Sequence, residues 1–229
     1  MEYIDKNKKF WDEHFAKISL NYPNEEVIRF LARCKGLYQN GVMLDWGCAS
    51  GRHTVLGCNF GFQVIAADYV ERCVNQTREK VKLECVKAKG KVVQYIVNKG
   101  SNIEEIEDET LDMIVAWGVI FYNTLEQQKL MLKNMCRMLK KGGRVFCDFR
   151  TQRDSIYLQQ EKCMSKEEFT ISAEDTRHKG LYLGIYSLAD IKEMVKESGL
   201  TIENIELYEL TQDNQNTKNS WWHITLLKI

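Results

Sequence analysis

The stretch from Gly41 to Val70, GVMLDWGCASGRHTVLGCNFGFQVIAADYV, constrains the fold of this chain more than any other. An apolar run from Val42 to Leu44 ends in Asp45, and a turn bearing Gly47 and Gly51 then opens a short helix. A second apolar run, Val64 to Ala67, ends in Asp68. Glycine at 47 and 51 lets the backbone turn sharply and approach a ligand closely, because no Cβ stands in the way. Amides at the start of the following helix then face that ligand. An acid at the tip of the next strand can accept both hydroxyls of a ribose; in dinucleotide folds it follows the glycine turn by about 20 residues. Asp68 stands close to that distance beyond Gly51, so strand, turn, helix, strand and acid make one nucleotide-binding half.

The rest of the chain repeats the alternation. Ile4 to Ile18 reads as an amphipathic helix with Phe10, Trp11 and Phe15 at helical spacing, and a second helix is expected from Asn24 to Tyr38. A long helix from Val70 to Lys89 stops at Gly90, and Val92 to Val97 reads as a strand. Leu111 to Trp117 is too apolar to be half exposed, which places it inside a sheet covered on both faces. A helix from Leu125 to Lys140 ends at the Lys141-Gly142-Gly143 turn, and Val145 to Phe149 is the next strand. The tail differs: after a helix from Leu188 to Glu197, Ile202 to Leu210 and Trp221 to Ile229 follow as strands with no helix between them, so they can pair as an antiparallel hairpin. The pattern implies an α/β fold, a mostly parallel doubly wound sheet with helices on both faces.

Composition narrows the function classes. Lysine plus arginine and aspartate plus glutamate both number 32, so no net field draws the protein toward nucleic acid or an anionic membrane. The longest uncharged apolar run, Met113 to Tyr122, is too short to span a bilayer, and the N-terminus lacks the apolar core of a signal peptide. A cytoplasmic location is expected. The eight cysteines never occur as C-x-x-C or near a histidine at ligand spacing, which reads as reduced thiols, with no metal expected.

The glycine loop lacks the G-x-G-x-x-G spacing of a pyrophosphate cradle, since Ala49 stands between Gly47 and Gly51. It resembles the D-x-G-x-G-x-G loop of class I S-adenosylmethionine-dependent methyltransferases, with Ala49 in place of the central glycine. The turns before the fourth and fifth strands, Glu109 to Asp112 and Lys140 to Gly143, are similar to that family too, as is an antiparallel final strand. The helix opening Gly51-Arg52-His53-Thr54 and the segment Arg150 to Ser155 resemble a small-molecule subgroup that includes tellurite-resistance-type enzymes. The resemblance covers nearly the whole chain. It implies a Rossmann-like seven-stranded sheet and S-adenosylmethionine as cofactor, with S-adenosylhomocysteine as product. It also implies a single domain: an N-terminal helical cap (1–40), a cofactor-binding core (41–149), an insertion over the acceptor pocket (150–186), and a C-terminal helix and hairpin (187–229).

Residue by residue, the resemblance assigns Asp45 to the amino end of the methionine moiety, Gly47, Cys48, Ala49 and Gly51 to the loop, and Asp68 to the ribose. Tyr69 is a candidate to lie over adenine. Where the family often has an acid after strand three, the loop reads Asn98 to Asn102, so Ser101, Asn102 or a nearby backbone carbonyl is expected to take that role. The acceptor is expected at the carboxyl ends of strands four and five, near Trp117, Gly118, Phe121, Tyr122 and Arg150. Trp117 and Tyr122 read as walls of the methyl-transfer pocket, as rings packed on the adenosine of the cofactor, or as core aromatics. Arg150 and Arg153 either bind a carboxylate or phosphate on the acceptor, or pair with Asp148, Asp154 or an acid of the insertion. His178 is the candidate general base, set against a structural role, and His53 is expected to orient the cofactor loop. The leading reading is transfer of a methyl group to oxygen or nitrogen of a small metabolite, an anionic one being favoured by the arginines. A methyltransferase of RNA or protein and a non-catalytic nucleoside-binding regulator are the alternatives; monomer and homodimer both stay open.

Overall fold

The computed structural model describes residues 2–158, 160–163, 165, 167–171 and 178–229. Helices α1 (Glu2–Phe15) and α2 (Glu25–Leu37) precede the core, in which β1 (Val42–Trp46), α3 (Arg52–Phe60), β2 (Gln63–Asp68), α4 (Glu71–Glu84) and β3 (Lys91–Val97) follow one another. Then come β4 (Leu111–Ala116), a 3₁₀ turn at Ile120–Tyr122, α5 (Leu125–Met138) and β5 (Leu139–Arg150). After a second 3₁₀ turn at Ser155–Leu158, three short strands, β6 (Gln160–Cys163), β7 (Glu168–Ile171) and β8 (Tyr182–Gly184), lead to α6 (Leu188–Ser198), β9 (Thr201–Gln212) and β10 (Thr217–Leu227).

The main sheet has seven strands in the order β3-β2-β1-β4-β5-β10-β9, all parallel except β10, which runs antiparallel to both β5 and β9. This is the Rossmann-like arrangement expected. Its inner strands β1, β2 and β4 are apolar on both faces because both faces are covered, while the edge strands β3 and β9 are largely exposed. Met43, Val64, Met113, Val115 and Phe146 pack under α2 and α3, while Leu44, Trp46, Ile65, Ile114 and Phe149 pack against Met131, Leu132 and Met135 of α5 and Ile191 and Met194 of α6. Phe30 of α2 stacks on Phe146 at 5.1 Å, an aromatic pair worth about 0.5–1.5 kcal/mol beyond its buried area.

Two expectations are corrected. First, β5 runs through the Lys141-Gly142-Gly143 segment instead of starting after it. The chain end holds the segment extended: Gly142 N donates to Lys228 O at 2.8 Å and Lys228 N to Gly143 O at 3.0 Å. Second, the insertion, expected as a loop, contains among its described residues a three-stranded antiparallel sheet, β6-β7-β8. Phe169, Ile171 and Leu183 pack on Phe121, so this small sheet buttresses the 3₁₀ turn. Glu174, Asp175, Thr176 and Arg177 lie outside the described residues.

The roof over the carboxyl ends of the strands is α1. The side chain of Asn7, 1% exposed, donates to Tyr122 O at 3.0 Å and to Tyr182 O at 3.1 Å, and accepts from Tyr182 N at 2.9 Å. Trp11 meets Tyr122 edge to face at 5.0 Å. The strap after α1 is tied to the core as well: Ser50 Oγ accepts from Leu20 N at 2.6 Å, and Lys80 Nζ donates to Leu20 O at 2.7 Å.

Candidate functional site

A cavity of about 450 Å³ opens along the carboxyl ends of the strands beneath α1. One half is built on β1, β2 and β3. The amides of Gly47 and Cys48 both donate to Ala67 O, at 2.8 and 3.0 Å, which folds the glycine turn back over the end of β2. Asp68 anchors that turn: its Oδ2 accepts from Ala49 N at 3.0 Å and its Oδ1 from Val70 N at 2.9 Å. Burial pushes the Asp68 carboxyl up to about 6 against these amides, which favour the charged form.

The glycines have separate reasons. Gly47 lies at φ +84°, and a Cβ there would stand 2.3 Å from Cγ2 of Val119. Gly51, at φ +87°, packs so close to α4 that a Cβ would lie 3.0 Å from Thr77 Cα. Ala49, in place of a glycine, is also left-handed at φ 49°, a conformation that costs an L-residue about 1–2 kcal/mol. Thr77 holds it there by donating from Oγ1 to Ala49 O at 3.0 Å.

The other half is built on the ends of β4 and β5 and on β10. Alternation along β5 points Phe146, Asp148 and Arg150 to the face that carries α2 and α3, and the register of β10 sets Trp221 beside Arg150 and His223 beside Asp148. Asp148 is 2% exposed, and its Oδ1 accepts from Gly118 N at 2.6 Å. Burial raises this carboxyl to about 7, opposed by the Gly118 amide and by the guanidinium groups of Arg150 and Arg52. Arg150 donates from Nη1 to Asp154 Oδ2 at 2.5 Å and lies between the rings of Phe121 and Trp221 at 5.5 and 5.2 Å, while its buried Nε has no partner. Burial lifts the Tyr122 hydroxyl to about 12, so it stays protonated.

Most of the residues singled out in the sequence meet here. Gly47, Cys48, Ala49, Asp68, Tyr69, Trp117, Tyr122 and Arg150 line the cavity. Asp45 stands behind the lining, 1% exposed, accepting from Thr54 Oγ1 at 2.6 Å with its carboxyl raised by burial to about 6; it braces the loop from beneath. Gly51 too is set back, against α4. Ser101 and Asn102 are not among the lining residues. Instead Asn98, one position past β3, lines the cavity with Nδ2 bonded to Gly100 O at 2.7 Å and a buried Oδ1 that has no partner. His178 sits in the turn before β8, away from the lining, with its carbonyl accepting from Leu181 N at 3.0 Å. Of the described residues between 150 and 186, Arg150 alone reaches the cavity. Arg153 pairs with Glu209 at 3.7 Å on the surface. His53 Nε2 accepts from Asn24 N at 3.3 Å, so it fixes the start of α2; burial drives its pKa down to about 3.

Asp148 was legible as a lone charge inside the apolar run Val145 to Phe149, where a strand covered on both faces has no cheap place for a carboxylate. No sequence signal marked Asn7 or His223. Among the described residues no group of three His, Cys, Asp or Glu side chains is placed to hold a metal ion, and no helix is long and apolar enough to cross a membrane.

Residues 43–143 match a family model described as a methyltransferase domain. No curated protein matches the chain. Among solved structures, a SAM-dependent methyltransferase from Methanosarcina mazei is similar with a TM-score of 0.73 at 17% identity, over 93% of this chain and 99% of that one. An S-adenosylmethionine-dependent methyltransferase from Clostridium acetobutylicum gives 0.65 at 15% identity, over 98% of both chains. Magnesium protoporphyrin IX methyltransferase from Synechocystis, solved with bound SAM, gives 0.60 at 15% identity, over 90% of this chain and 77% of that one. The chain therefore has the fold of S-adenosylmethionine-dependent methyltransferases, and its residues 43–143 are similar to a methyltransferase domain.

Proposed function

We propose that the protein is an S-adenosylmethionine-dependent methyltransferase acting on oxygen or nitrogen of a small metabolite. One observation carries this reading: a single roofed cavity joins the glycine turn and Asp68 to a buried carboxylate, Asp148. The cofactor half fits the group. Gly47 lets the turn pack against Val119 at the cavity wall, Asp68 is placed for the ribose hydroxyls, and the orphaned Oδ1 of Asn98 is an acceptor for the adenine amino group. S-adenosylmethionine supplies an electrophilic sulfonium methyl; the protein's task is to align the acceptor and take up any proton it releases.

Asp148 is the group suited to that proton, since a carboxylate with a pKa near neutral both accepts and releases protons at physiological pH. Gly118 N fixes Oδ1, which aims the carboxylate at the cavity. The unpartnered Arg150 Nε and the Tyr122 hydroxyl are donors at the same place and favour an anionic group on the acceptor. A small acceptor is favoured over a macromolecule because α1 is pinned across the mouth by Asn7 and Trp11. Placement with the tellurite-resistance-type enzymes rests on the Gly51-Arg52-His53-Thr54 helix opening, whose Thr54 and His53 bond Asp45 and Asn24. A cytoplasmic setting is supported by Cys34, Cys48, Cys58, Cys73 and Cys147, all buried free thiols. The test is release of S-adenosylhomocysteine from S-adenosylmethionine over a panel of small carboxylates, phosphates and amines. Turnover with one of them that Asp68→Ala abolishes supports the reading, and no turnover with any of them contradicts it.

A further inference from the structure

Around Asp148 the cavity has a recess whose wall is carried by β9, β10 and the residue that follows β4. Its walls are aromatic: Trp117 lies 4.8 Å from the His223 ring, and Tyr208 stacks on the other side of His223 at 5.2 Å with an interplanar angle of 21°. Trp221, one residue pair along β10, adds a further ring beside Tyr208 at 6.1 Å. All four side chains line the cavity.

Two buried polar atoms on residues that line this cavity have no partner. One is Nε2 of His223, a residue 3% exposed; the other is Oδ1 of Asn24. Asn24 occupies the N-cap position of α2, where an asparagine side chain ordinarily accepts from a backbone amide of the first turn, yet it makes no cap bond. Both residues line the cavity. A buried polar atom left unpaired costs about 1–3 kcal/mol, so the two mark groups that a ligand completes. Burial lowers the His223 pKa, opposed by Glu26 and Glu206, which leaves a neutral imidazole able to accept or donate one hydrogen bond.

We propose, building on the methyltransferase reading, that this recess is the acceptor subsite and that it selects a planar aromatic or heteroaromatic ring carrying an N–H or O–H group. The ring lies against Trp117, Tyr208 and Trp221, and its donors meet His223 Nε2 and Asn24 Oδ1. Aromatic walls favour a planar ring because offset and edge-on ring pairs gain beyond the area they bury. The recess is contiguous with Asp148, so a ring hydroxyl or amine seated there gives its proton to that carboxylate as its oxygen or nitrogen forms the bond to the methyl carbon and the sulfur–methyl bond breaks.

The test uses 4-hydroxybenzoate and indole-3-carboxylate as probes against cyclohexanecarboxylate, which keeps the charge and ring size without the π-face. Binding to the full chain is followed by saturation-transfer NMR, with and without S-adenosylhomocysteine. The aromatic probes are expected to bind about tenfold more tightly than the saturated one. Tyr208→Ala, at a position 40% exposed and therefore safe for folding, and His223→Gln are each expected to weaken the aromatic probes about fivefold while S-adenosylhomocysteine binds as in the parent. Equal binding of aromatic and saturated probes, or aromatic binding untouched by both substitutions, overturns the proposal. Failure of S-adenosylhomocysteine to bind the parent protein instead overturns the methyltransferase reading, whereas the subsite is judged by the ring probes alone.

Discussion

The backbone amide of Gly118 donates to Asp148 Oδ1 at 2.6 Å, tying the end of β4 to a carboxylate on the neighbouring strand. This bond spans the two strand ends where the acceptor is expected, and it orients the group proposed to receive the acceptor's proton. Asp148→Asn keeps shape and removes the base. Turnover is expected to fall by about 10²–10⁴-fold with little change in S-adenosylhomocysteine affinity. The parent's turnover should rise with pH through about 7 as Asp148 ionises, and the variant's profile should be flat there. Rates and calorimetric affinities across pH 5.5–8.5, about a unit and a half either side of that value, check both.

The same carboxyl makes a stability prediction. Its folded pKa of about 7 is raised by burial from the ordinary 3.8 of an aspartate, so the folded state holds a proton that the unfolded chain has released. Stability from this group is fully present below about 4 and is lost as pH rises through about 7. Asp148→Asn should therefore gain stability over the parent as pH rises toward 8. His53, with its pKa depressed to about 3, works in the opposite direction below neutrality but cancels in the comparison. Parallel thermal melts of the two proteins at several pH values read the gap.

The glycine turn separates two substitutions that look alike. Gly47→Ala places a Cβ 2.3 Å from Val119 at φ +84°, so it should lose about 1–3 kcal/mol of stability and weaken cofactor binding. Ala49→Gly releases a left-handed alanine at φ 49° and should stabilise by about 1 kcal/mol without weakening binding. Denaturant titration and calorimetry on both variants distinguish these signs.

Asn7 holds the roof. Removing its side chain leaves the carbonyls of Tyr122 and Tyr182 and the amide of Tyr182 without partners, so Asn7→Ala should cost about 2–3 kcal/mol locally. The expected outcome is faster amide exchange across α1 and quicker S-adenosylhomocysteine release, with the seven-stranded sheet still protected. Hydrogen exchange by mass spectrometry measures it.

The centre of the sheet was legible because its strands read as short apolar runs, such as Val42–Leu44 ending in Asp45, Val64–Ala67 ending in Asp68 and Leu111–Trp117 followed by Gly118. The cofactor half was legible for a related reason: Gly47 and Asp68 act through local backbone geometry that spacing records. The acceptor half was less so: Asp148 stands out as a lone charge in β5, but Tyr208, Trp221 and His223 reach it through the pairing of β10 with β5 and β9, and no spacing in the chain encodes that register. That Asn98, and not Ser101 or Asn102, is among the lining residues was not legible, since nothing local tells which polar residue of that loop borders the cavity. The small sheet β6-β7-β8 was missed because its strands are three or four residues long, below the length at which alternation is readable.

Calorimetric titration of the parent protein and of Asp68→Ala with S-adenosylhomocysteine, with NAD as control, tests the central claim most directly. The account predicts that the parent binds S-adenosylhomocysteine and not NAD, and that Asp68→Ala, which loses the ribose acceptor and the anchor of the Ala49 amide, binds at least about tenfold more weakly. A parent protein that fails to bind S-adenosylhomocysteine, or that prefers NAD, would contradict it.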